Sequence, residues 1–180
     1  TNAAGVPLLV IYVHLVRICT YRFRLPILAS IAIGALSYCL IGSLLSAFMM
    51  ATPFMFWLMI ACGFFVGCSL LVYFPYDMEP GYKSPLPVPL KWLVVTCVVC
   101  GLIVIKKLLL GFMTVFPMVG VVAAYELRFS LGTFCRNIHI FAVAGSAMIA
   151  AVGLAQASLG LGAAIGTGWL ALAFAAAPAY

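Results

Sequence analysis

The chain is 180 residues long, 67% hydrophobic and 7% charged, with nine Lys+Arg against three Asp+Glu for a net charge of +6. Soluble domains carry about 25% charged residues, so this composition excludes a globular protein dispersed in water. It also excludes a nucleic-acid reader, because the basic residues are scattered at predicted helix ends and gather on no aromatic-studded face.

A spanning helix needs about 20 apolar residues. The expected fold class is therefore all-α: a polytopic transmembrane helical bundle of about seven spans, forming a single membrane domain over residues 1–180. Spans are predicted at 5–21, 25–47, 52–74, 89–110, 112–131, 133–155 and 159–177. The first is short and interrupted by His14 and Arg17. Residues 1–10 begin at Thr1 and lack the charged n-region of a signal peptide, which leaves room for a further N-terminal segment. Pro26, Pro53 and Pro89 sit near helix starts, where a missing N–H costs little. Pro117 lies about one turn into its helix.

Two stretches of the chain match each other. Leu44, Leu45, Phe48, Met49 and Pro53 recur at an offset of 64 as Leu108, Leu109, Phe112, Met113 and Pro117. Ala47 and Gly111 exchange small for small. The reading is a duplicated hairpin, with a first copy at 25–74 and a second at 89–131, followed by a C-terminal helix pair at 133–177. Transporters are often built from such copies, with the site where they meet. Residues 75–89 join them and hold five of the ten prolines, a composition that favours extended, PPII-like chain. Asp77 and Glu79 in this linker are read as solvating groups, and no metal site is expected.

The basic residues orient the chain. With the loop after the first span in the cytoplasm, Arg17, Arg22, Arg24, Lys83, Lys91, Arg128 and Arg136 all lie on that side, seven of the nine. Lys106 and Lys107 lie opposite. Both hairpins then run the same way, which makes the repeat parallel.

Charge near the centre of a bilayer costs about 2.5–3.5 kcal/mol on insertion scales. Lys106 and Lys107 each need a reason, and two readings stand: snorkelling to the outer interface, or a cationic lining for an anionic or polar solute. Their counterparts in the first copy are Gly42 and Ser43, which makes Lys106 the better inward-pointing candidate. Glu126 is the one acid inside a span. It reads either as an ion pair with Lys91 or Arg128, or as a proton or cation relay. Lys106, Lys107 and Glu126 are the candidates for a transport path.

The histidines form a pattern of their own. His14-x-x-Arg17 occurs on a helix running inward and Arg136-x-x-His139 on one running outward, so each His lies one turn deeper than its Arg. Two neutral imidazoles on facing helices are the ligand set of a membrane b-type haem, with the arginines placed for its propionates. The alternative is a pair of histidines hydrogen-bonded within the bundle or at the interface. The sequence leaves open whether His14 and His139 meet. Apart from that haem, no cofactor is expected.

The seven cysteines fall almost entirely inside apolar runs, where they act as small hydrophobes. Cys97-x-x-Cys100 lies mid-span with no flanking βαβ pattern, so packing outweighs a redox role. In the last span, Gly162/Gly166 and Ala164/Gly168 form small-x-x-x-small pairs that let helix backbones approach closely. They suit packing within the chain or contact with a second copy or a complex partner. No hydrolase elbow, P-loop, zinc-protease motif or carboxylate pair occurs, so nothing points to an enzyme.

Lys91 opening one span, Lys106 closing it, Phe116-Pro117 in the next and Ala123-Ala124-Tyr125 together resemble the GlpM-type small bacterial inner-membrane proteins. The resemblance covers residues 89–175; the spacing from the second lysine to Phe-Pro is shorter here, and the preceding half is extra. It implies a bacterial inner (cytoplasmic) membrane location and no defined chemistry. The functional expectation is a transporter or transport-complex subunit for a small polar or anionic solute. The alternatives are a haem-carrying electron-transfer subunit or a scaffold subunit with no site of its own.

Overall fold

The computed structural model describes residues 4–48, 52–74 and 118–177, with positions 87, 89, 93, 96, 97 and 100. Among these the elements are five α-helices: α1 (Gly5–Tyr21), α2 (Ile27–Phe48), α3 (Pro53–Tyr73), α4 (Met118–Glu126) and α5 (Leu131–Ala176). Three stretches are long and apolar enough to cross a membrane, namely Ile27–Leu45, Pro53–Tyr73 and Leu131–Ala176. Their outer faces are lipid-like: Val72 is 87% exposed and Phe174 78%. These features mark a helical membrane protein.

Seven spans are not supported. Among the described residues three helices reach spanning length, and α1 is apolar but shorter. The expected span at 89–110 lies outside the described residues apart from isolated positions, and the linker at 75–89 lies almost wholly outside them. The second hairpin copy is described continuously only from Met118. The internal repeat therefore falls outside the described residues too, and so do the lysines at 83, 91, 106 and 107.

Helix ends follow local chemistry. Thr52 caps α3 by accepting a hydrogen bond from the Met55 amide (3.3 Å), with Pro53 in the first turn. α1 closes with the Arg22 and Phe23 amides on the Ile18 carbonyl, and Arg24 takes a positive φ of 53° to turn the chain into α2. Two serines inside the helices bond their own backbone, Ser43 donating to the Cys39 carbonyl and Ser69 to that of Phe65, which removes their polar cost in an apolar surround.

In lipid, helices associate through close packing rather than hydrophobic exclusion, so small residues decide the contacts. α1 forms the centre despite its length, with Tyr12, Val13 and Val16 essentially fully buried. Gly34 of α2 faces Tyr12 and Val16, where an added Cβ would come within 2.9 Å of the Val16 side chain. Gly63 and Gly67 of α3 lie against Ser146 and Val143 of α5. That pair is itself a small-x-x-x-small motif, outside the last span.

α5 is broken at Gly160, whose φ of 73° and ψ of 168° are non-helical. Gly168 nevertheless lies against Val152 and Met148, residues that a straight helix would leave about 24 Å or more away. The second arm, 161–176, therefore folds back on the first as a helical hairpin. Ala164 and Gly168 are buried against that first arm, whereas Gly162 and Gly166 face open space.

Candidate functional site

Pairwise contacts fix the direction of each helix. α1 and α2 are antiparallel, with Val16 near Gly34 and Leu8 near Gly42. α1 and α5 are antiparallel, with His14 against His139 while Val6, two turns earlier, and Ser146, two turns later, both lie against Gly63. α1 and α3 are parallel, with Val6 near Gly63 and His14 near Phe74. The C-termini of α1 and α3 and the N-termini of α2 and α5 consequently share one end of the bundle. Arg17, Arg22, Arg24, Arg128 and Arg136, all the described basic residues, lie at or near that end.

Just inside this end His14 and His139 meet. Their Nε2 atoms are 2.8 Å apart. The ring planes differ by 15° with centroids 5.0 Å apart. Since the centroid separation exceeds the nitrogen separation by about two ring radii, the imidazoles lie end to end, joined by one hydrogen bond. One Nε2 donates and the other accepts, which fixes opposite protonation at the two facing nitrogens. His139 is 1% exposed and His14 is half-buried, so the pair runs from the interior outward.

Phe74 lies across both rings, with centroids 5.4 Å from His14 and 5.9 Å from His139. Arg17 places its guanidinium over the Phe74 ring, 5.3 Å from the centroid, a cation–π contact. Among the described residues, the buried side-chain polar atoms without a partner are Tyr12 OH, Thr20 Oγ1, His139 Nδ1 and Ser146 Oγ. His139 and Ser146 are seven residues apart on α5, hence on one face of that helix.

The haem geometry expected of His14 and His139 does not fit this arrangement. Ligands on opposite faces of one metal stand at about twice a bond of about 2.0–2.1 Å, and the direct hydrogen bond at 2.8 Å leaves no space for iron between the nitrogens. The alternative expectation, histidines bonded within the bundle, matches the geometry. Among the described residues no cluster of three or more His, Cys, Asp or Glu could hold a metal ion.

Of the transport-path candidates, Glu126 ends α4 at the arginine end and is half-buried. Lys106 and Lys107 lie outside the described residues, as does Lys91 and with it the expected Lys91–Glu126 ion pair. Arg128, the other suggested partner of Glu126, places its guanidinium 4.8 Å from the ring centroids of Tyr125 and Phe129 and donates to the Tyr125 carbonyl. None of the seven cysteines is joined in a disulfide. Phe74 was not singled out from sequence; its place at the end of an apolar span, just before the proline-rich linker, gave no sign that it would cover a histidine. No protein-family model, curated protein or solved structure matches the chain.

Proposed function

We propose that the chain is a multi-pass protein of the bacterial inner membrane acting as a transporter, or a transport-complex subunit, for a small polar or anionic solute. The observation that carries this reading is the His14–His139 pair. Ionisable groups inside an otherwise apolar bundle are costly, and they mark paths for ions, protons or polar solutes by default. The arginine end adds a positive field that raises the local concentration of anions. By the positive-inside rule this end faces the cytoplasm. The resemblance at Lys91, Lys106 and Phe116-Pro117 points to the same membrane, and Lys106, Lys107 and Glu126 remain candidates for the rest of the path. The open Gly162/Gly166 face is where a second copy or a complex partner would approach.

Swelling of reconstituted vesicles tests the reading. In vesicles of 3:1 phosphatidylcholine to phosphatidylglycerol, the protein should speed entry of at least one of lactate, phosphate, nitrate or isethionate over protein-free controls. No acceleration for any of the four contradicts transport and favours the scaffold alternative.

A further inference from the structure

We infer that the His14–His139 pair is a proton-transfer site that moves a proton together with a weak-acid anion. This rests on the transport reading above and names its solute class. The geometry supplies a relay with two ends. His14 is the half-buried member toward the arginines, and His139 presents a buried, unpartnered Nδ1 at the other end. Between them runs a single end-to-end hydrogen bond of 2.8 Å.

The transfer balances without any further reactant in the protein. In the starting state His14 Nε2–H donates to His139 Nε2, and His139 carries its proton on Nδ1. A hydronium from solvent gives a proton to His14 Nδ1. The Nε2 proton of His14 then crosses to His139 Nε2, and the Nδ1 proton of His139 leaves to the basic oxygen of a carboxylate or phosphate solute, or to water. One proton enters and one leaves. The hydrogen bond now runs from His139 to His14, so both states keep α1 joined to α5; before a second proton can pass in the same direction, both rings must turn and exchange their N–H protons so that the starting tautomers are restored.

The charge inventory favours an anion as the proton's destination. Arg17 and Arg136 lie about one turn further out than the histidines, Phe74 brings no charge from α3, and the described part of α2 carries none. Positive charge at the mouth draws anions in. Inside the bundle an anion is costly, and protonation removes that cost. An isethionate ion, a sulfonate that does not protonate at neutral pH, gains nothing from the relay.

Vesicles of the same composition loaded with pyranine test this on the full chain. Lactate or phosphate entry should acidify the lumen in step with solute uptake, while isethionate should produce neither. His14→Gln and His139→Gln each keep a side-chain amide that can hydrogen-bond the remaining imidazole, yet neither can pass a proton on. Each should lower acidification by about tenfold or more while helicity and thermal stability stay near those of the parent. Solute entry without acidification, or Gln variants that acidify as the parent does, overturns the inference and leaves transport standing. Absence of any solute entry removes both. Should the Gln variants fail to fold, the ratio of protons to lactate in the unmodified protein decides: near one supports the relay, and near zero overturns it.

Discussion

Gly67 of α3 lies so close to Val143 of α5 that a Cβ there would stand 2.9 Å from the Val143 Cγ2 and 3.2 Å from its backbone nitrogen. Two turns along α3 from this contact Phe74 covers the imidazole of His139, which is itself one turn from Val143. The missing side chain at Gly67 therefore sets the distance at which the site is closed. Gly67→Val should cost about 1–3 kcal/mol through overpacking and raise the reactivity of the histidines toward diethyl pyrocarbonate. Gly162→Val, at a position with open space, should leave both unchanged. Equal stability of the two variants in detergent unfolding contradicts the packing described.

Gly160 occupies a backbone region that is essentially confined to glycine. Gly160→Ala should lower stability by about 1–3 kcal/mol, read by unfolding in detergent, and loosen the contact of Gly168 with Val152. An unchanged unfolding midpoint contradicts a hairpin turned at this residue.

Much of this architecture was legible in the sequence. Apolar runs bounded by Pro26, Pro53 and the arginines matched α1, α2 and α3 to within about two residues, whereas the break at Gly160 falls inside the span expected at 159–177. The opposite directions of the two His–Arg pairs placed both histidines at one depth. What the pattern lacked was helix rotation, since many turns are equally apolar around their circumference, and rotation decides whether His14 and His139 point at each other. Gly63 and Gly67 carried the missing signal, because a small-x-x-x-small pair identifies the face that meets another helix. The lysines at 106 and 107 lie outside the described residues, and their two readings stand as sequence left them.

Orientation is open to labelling. In a cysteine-free background Phe23→Cys, in the arginine-bearing turn between α1 and α2, should react with a membrane-impermeant maleimide in inverted vesicles and not in intact cells. Preferential reaction from outside reverses the topology.

The spectrum of the purified protein separates the proton-bearing pair from the haem alternative. The 2.8 Å contact predicts no Soret absorbance. A Soret band abolished by His14→Ala would show that the imidazoles part to admit iron, and would replace the relay with electron transfer.

The pairing of His14 with His139 inside the bilayer underlies everything proposed about function, and solid-state NMR reads it directly. The chain holds two histidines, so 15N-histidine labelling leaves no ambiguity of assignment between this pair and others. In bilayers one Nε2 should appear protonated and the other bare, with a through-hydrogen-bond 15N–15N coupling that disappears in His14→Gln. Two imidazoles with independent tautomers and no coupling would contradict the pairing.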